Sequence, residues 1–187
     1  CTLESLMIIL CKRKRRMKDI ANNRNKSYYD IVCDILDNDE YKKLKEIKHH
    51  GLDRLEHNKR VSYYSYLISK GLHLDYESCA RAGMLHDFFL DVNVDTSIKD
   101  KMNLLERHPK KSLNNALKHF DLNEKEQNII ISHMSPIVPK YVPKYLESWI
   151  VDIVDDVASL YERTYSINDK LKTARNFIFI MLLIRFR

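Results

Sequence analysis

A chain of 187 residues with 44% hydrophobic content is long enough to bury one core of ordinary domain size. Only three glycines and four prolines leave few places for hairpin turns, which argues against short strands at regular spacing and for a chain that is nearly all helix. The formal charge of +6 invites a nucleic-acid reading, but the basic residues Lys12, Arg13, Lys14, Arg15, Arg16 and Lys18 account for the whole excess, so it belongs to one patch, read as a solvated helix face with RNA or phospholipid binding as the lesser alternative.

Leu3, Leu6, Met7, Leu10 and Cys11 recur at helical spacing and predict a first helix over 2–21. Ser27 is placed to cap a second helix holding Tyr28, Ile31, Val32, Ile35 and Leu36, and Asp39 opens a short third one running through Lys48. The stretch His49-His50-Gly51 breaks the pattern. Leu55, Val61, Tyr64, Leu67 and Ile68 then describe a helix ending at Gly71, with Arg54 one turn before His57 on the same face. That spacing suits a guanidinium gripping a phosphate beside His57, or equally an ion pair with Glu56 or a neighbouring helix.

Asp75 can cap a helix from Tyr76 to Asp87, whose Cys79, Ala80, Ala82 and Gly83 permit close approach to the His57 helix. At its end, Met84-Leu85-His86-Asp87-Phe88-Phe89-Leu90 sets two ionisable side chains between apolar neighbours. Burial of such groups requires a partner or a metal ion. Taken alone, the dipeptide would also fit a core histidine bonded to its neighbour. Because adjacent helical residues diverge by about 100°, His86 and Asp87 reach one ion most easily at the last turn, with Phe88, Phe89 and Leu90 shielding it.

Residues 91–95 read as a loop. Pro109 suits a helix's first turn, so His108 is expected at the N-terminal end of a helix running to His119, as cap or as ligand. Lys110 and Lys111 then oppose the helix dipole, a conflict that an incoming phosphate would relieve. Asn123 opens a further helix to His133-Met134, and three of the four prolines make 135–143 a stiff loop suited to a substrate-facing wall. In the helix over 147–164, Asp155 lies one turn from Val151 and Ala158 and is the inward-facing aspartate, with Asp152 and Asp156 as the alternatives on another face. A last helix over 167–186 carries an apolar run at 177–184, too short to span a bilayer, that must cover core or a partner subunit.

Imidazoles and carboxylates on separate helices suit Fe, Mn, Co or Zn. Cys1, Cys11, Cys33 and Cys79 form no CxxC pair and read as reduced thiols. With neither a signal peptide nor a spanning segment, the expectation is a cytoplasmic protein whose start at Cys1 has been trimmed.

The order His57, His86-Asp87, Asp155, carried by the phrases EHNKRVSYYSYL, ARAGMLHDFFL, RHPKKSLNNALKHF, ISHMSPI and SWIVDIVDDVASLYE, resembles the HD superfamily of metal-dependent phosphohydrolases over roughly residues 39 to 165. The resemblance implies an all-α HD-domain helical bundle at 39–165, with 1–38 as N-terminal helices packed on it and 166–187 as a C-terminal helix completing it. It implies His57, His86, Asp87 and Asp155 on one divalent transition metal ion, and His108 and His133 with a bridging Asp87 on a second; if either histidine points away, a one-metal site remains. It further implies hydrolysis of a small phosphate ester, foremost a nucleotide, by metal-activated hydroxide attack on phosphorus. His86 and Asp87 are its expected catalytic residues, joined by Arg54 and Lys110 from the spacing arguments above. The chain lacks the GYP phrase of the cyclic-dinucleotide branch, and Met-Ser-Pro-Ile after His133 departs from the diadenosine tetraphosphate hydrolases. A non-catalytic nucleotide-binding regulatory module and an HD-type di-iron oxygenase are the alternative functions. Nothing in the sequence decides the oligomeric state.

Overall fold

The computed structural model describes residues 27–49, 52–90, 98–135 and 138–163. The expected helices at 2–21 and 167–186 and the basic patch therefore lie outside the described residues. Helix α1 (Tyr28–Asp37) buries Tyr28, Ile31, Val32 and Ile35, one stripe at the three- and four-residue spacing of a helix face. A short α2 (Asp39–Lys42), capped by the Asn38 side chain, passes into a 3-10 turn at Lys43–Glu46. That turn ends before Lys48, where helix was expected to continue. Instead Lys48–His49 (β1) pairs antiparallel with Leu52–Asp53 (β2), and the Arg54 N–H donates to the Ile47 carbonyl at 2.8 Å.

The remaining helices are α3 (Arg54–Gly71), α4 (Tyr76–Leu85), α5 (Ile98–His119), α6 (Glu124–Ser132) and α7 (Leu146–Arg163). Apart from the two-residue strands the architecture is all-α, as composition and resemblance led one to expect. Side chains placed to accept from the third backbone N–H onward start three of them: Asp53 for α3, Asp75 for α4, and Asn123, in a reciprocal capping box with Glu126, for α6. Among the described residues no helix is long and apolar enough to cross a membrane. Cys79 is a buried free thiol as expected.

Helix α4 is the centre of the bundle, packing against α3, α1, α6 and α7. Its Cys79, Ala80, Ala82, Met84 and Leu85 have no exposed surface. The close approach to α3 turns on Gly83: an added Cβ would sit 3.0 Å from Ser62 Cα and 3.3 Å from Ser62 N. Those atoms are backbone and cannot step aside. Hydroxyls tie the same layer together, since Tyr28 Oη donates to Ser62 Oγ (2.8 Å), which donates to the Ala80 carbonyl (2.6 Å), while Tyr41 Oη donates to the Met84 carbonyl (2.6 Å). Gly83→Ala is therefore expected to destabilise by about 1–3 kcal/mol, against the roughly 1 kcal/mol that alanine's helix propensity would supply. Denaturant midpoints measure it; an unchanged or raised midpoint would mean that the two helices can part.

The helix expected to begin at His108 begins at Ile98, so Pro109 lies inside α5 and His108 is not at its start. Proline is common at a first helical turn but not confined to it, and the helical pattern of Ile98, Met102 and Leu105 before Pro109 continues in Leu113 and Ala116 after it. Lys110 and Lys111 accordingly do not oppose a helix N-terminus.

A candidate metal centre

Helix ends aim most of the candidate ligands. His57 stands one turn inside α3 and is buried, while α4 stops at Leu85 and leaves His86 as its C-cap; His133 holds the same position after α6. Each capping ring turns back on its own helix, His86 Nδ1 donating to the Gly83 carbonyl (2.8 Å) and His133 Nδ1 to the Ile130 carbonyl (2.7 Å). A carbonyl only accepts, so Nδ1 carries the hydrogen and the Nε2 lone pair points into the bundle. That tautomer, held by a backbone acceptor, is the one a metal-ligating histidine needs.

Six side chains converge there in two buried groups, His57, His86 and Asp155 in one and Asp87, His108 and His133 in the other, each offering ligand atoms within 4.8 Å of one another. In the first, Asp155 Oδ1 lies 2.9 Å from His57 Nε2 and 3.6 Å from His86 Nε2. In the second, Asp87 Oδ1 lies 3.6 Å from His108 Nε2 and 3.5 Å from His133 Nε2. The four imidazoles run in series: ring centroids are 5.3 Å apart for His57 and His86, 5.0 Å for His86 and His133, and 5.0 Å for His133 and His108. The resemblance placed Asp87 both with His57, His86 and Asp155 and, as a bridge, with His108 and His133; the geometry groups it with His108 and His133.

The donor set fits a divalent cation. His86 Nε2 and Asp87 Oδ1 are buried and make no hydrogen bond, an expensive condition for two such polar atoms. His108 Nε2 and His133 Nε2 approach to 2.9 Å. Two imidazole nitrogens each about 2.0–2.1 Å from one zinc-like ion stand roughly 3 Å apart.

Charge follows the same geometry. Burial works against the Asp87 carboxylate, but the neighbouring imidazoles of His133, His86 and His108 hold it well below the usual range. Asp155 is held down likewise, against burial, by His86 and His57. Burial also disfavours a charged His57, yet contacts with Asp155 and Glu162 push it up to about 10. In the metal-free protein this raised basicity contributes stability that is complete below about pH 6.5 and is lost as the pH climbs toward 10. The denaturant midpoint of chelator-treated protein is therefore expected to fall between pH 7 and about 10. Metal loading should instead release protons, because ligation requires the neutral ring. A midpoint that rises over that interval overturns the reading.

One residue at this centre, Glu162, escaped the sequence reading. Glu162 is fully buried, accepting from His57 Nδ1 at 2.9 Å through Oε2 and from Arg60 Nη1 at 2.7 Å through Oε1. It lies seven residues after Asp155, two helical turns along the same face, and that count was the available signal. Asp152, placed by sequence on another face with Asp156, is buried, whereas Asp156 is exposed. Burial and the charge of Asp156 push Asp152 up to about 7.

Arg54 is buried, its Nη1 donating to the Phe89 carbonyl at 2.5 Å and its guanidinium carbon 3.8 Å from the Phe89 ring centroid, so it fastens the turn that carries His86 and Asp87. Phe88 and Phe89 are buried as expected of a shield, and the Phe89 ring packs against His108 at 5.4 Å. Lys110 is exposed on α5, lining a groove with Lys111 and with Lys140 and Tyr141 of the proline-containing loop.

A family model described as HD domain matches residues 54–160, more than half of the chain. No curated protein matches it.

Proposed function

Because the chain belongs to the HD-domain family, we propose that it is a metal-dependent phosphohydrolase acting on a small phosphate ester, foremost a nucleotide. The observation that supports this most is the convergence of two buried His/Asp groups joined by a series of four imidazoles. His57, His86 and Asp155 would hold one divalent ion of the Fe, Mn, Co or Zn kind, and Asp87, His108 and His133 a second, with Asp87 linking the two through its neighbour His86. When bound, such ions neutralise phosphate oxygens and lower the pKa of a coordinated water to about 7.

The chain's own residues do the positioning. Backbone carbonyls of Gly83 and Ile130 lock the His86 and His133 rings, and Glu162 locks His57. Arg54 holds the 86–89 turn from behind, and Phe88 and Phe89 keep water from that side. Lys110, on the exposed face two residues after His108, attracts the anionic substrate toward the centre.

The test is metal analysis of the purified protein alongside a panel of phosphate monoesters and nucleotides. Phosphate release that appears with Mn, Fe or Co and disappears with a chelator is the expected result. Protein that carries stoichiometric metal and cleaves no ester in the panel defeats the proposal.

A further inference from the structure

Beside the metal centre, α5 and the proline-containing loop enclose a surface groove of about 390 Å³ lined by Glu106, Arg107, Lys110, Lys111, Asn114, Lys140 and Tyr141. A second depression, lined by Phe89, Lys111, Asn114, Asn115 and Lys118, shares Lys111 and Asn114 with it. The two therefore form one track along α5. Arg107, Lys111, Asn114 and Lys118 recur at four, seven and eleven residues, so they share one helical face about 16 Å long at 1.5 Å per residue. Lys140 faces them across the groove. Phe89 connects track and centre, since its ring lines the second depression and packs against His108.

Cations gathered this densely repel one another, and among the described residues no ion pair involves Arg107, Lys110, Lys118 or Lys140. Among the described residues Glu106 is the one acid in the lining. A concave surface with that imbalance lowers its energy by taking up a polyanion. Resting on the hydrolase reading above, we propose that this track is an oligophosphate subsite: the substrate carries further phosphates beyond the one cleaved, and Arg107, Lys110 and Lys140 hold them. Its class is then a nucleoside polyphosphate or an inorganic oligophosphate, whose shared chemistry is the linear phosphate chain. A single-stranded nucleic acid fits less well, because such strands stack successive bases on aromatic platforms. The track offers Tyr141 and Phe89, and one face of Phe89 is covered by Arg54.

The experiment uses the full chain freed of metal, so that binding is read apart from turnover and from chelation by the probe. Titration with orthophosphate, tripolyphosphate and ATP is expected to give tripolyphosphate at least tenfold tighter than orthophosphate, with a steep weakening as salt rises. Equal affinity for ATP marks the inorganic chain as sufficient; tighter ATP binding marks a nucleoside polyphosphate. The surface variant Lys110→Ala/Lys140→Ala should lose at least tenfold in tripolyphosphate affinity and take up as many metal ions as the parent. A variant that keeps the preference, a parent that lacks it, or a single-stranded oligonucleotide that outcompetes tripolyphosphate overturns the proposal. Lysine-dependent tripolyphosphate binding without hydrolysis of any ester would leave the track standing and remove the hydrolase reading. Ester hydrolysis with no oligophosphate preference would do the reverse.

Discussion

Asp87→Asn is expected to lose at least one metal ion per chain and to drop in turnover by roughly a thousandfold or more. Asparagine keeps the volume, so the bundle should fold as before. What it removes is the anion between His108 Nε2 and His133 Nε2, at 3.6 and 3.5 Å from Asp87 Oδ1. Without it, two neutral nitrogens 2.9 Å apart remain to hold a dication, with no carboxylate to offset its charge. The loss should exceed the roughly 10–100-fold in metal affinity that changing a residue behind a ligand costs, because here the ligand itself goes. Asp156→Asn is the contrast: its carboxylate is exposed on α7, and metal content should stay at the parent value. Elemental analysis and initial rates on the best ester decide the matter. Parental metal and parental turnover in Asp87→Asn would take the metal centre out of the account.

Glu162→Ala should be the most destabilising single change at the centre, by about 3–5 kcal/mol, and should weaken metal binding by roughly 10–100-fold. Both carboxylate oxygens are engaged, one by His57 Nδ1 and one by Arg60, and the side chain has no exposed surface. Removing it leaves a buried N–H without its acceptor and a guanidinium beside a cavity. Arg60 keeps 25% of its side-chain surface exposed, so water recovers part of its share and the lower end of that range is expected. Glu162→Gln offers a control on size. Its carbonyl can still accept from His57, so it should unfold later than Glu162→Ala while losing the charge that favours Arg60. If both variants unfold within about 1 kcal/mol of the parent, Glu162 is not what orients His57.

Much of the scaffold was legible from local chemistry. The caps at Asp75 and Asn123 and the apolar stripes of α1 and α7 are written within a few residues of where they act. The small residues of α4 announced its tight seat against α3, and Gly83 sits there against Ser62 backbone. The failures were also local rules, outweighed by their surroundings. Proline at a first turn is a preference, and α5 runs through it from Ile98. A helical continuation to Lys48 gave way to strand pairing between β1 and β2, a contact whose partner lies beyond the window of helical periodicity.

The order of residues alone yields an inventory: which side chains can chelate, how they follow one another, and the helices that bear them. Periodicity and residue type suffice for that, since each is a property of neighbours along the chain. Packing in three dimensions is what divides those ligands into His57, His86 and Asp155 on one side and Asp87, His108 and His133 on the other. The same holds for the sequestering of Arg54 beneath Phe89 and the meeting of α5 with Lys140. Adjacent residues such as His86 and Asp87 leave a helix end in different directions, and where each arrives depends on the packing of α3, α5, α6 and α7 around it, which no spacing along the chain contains.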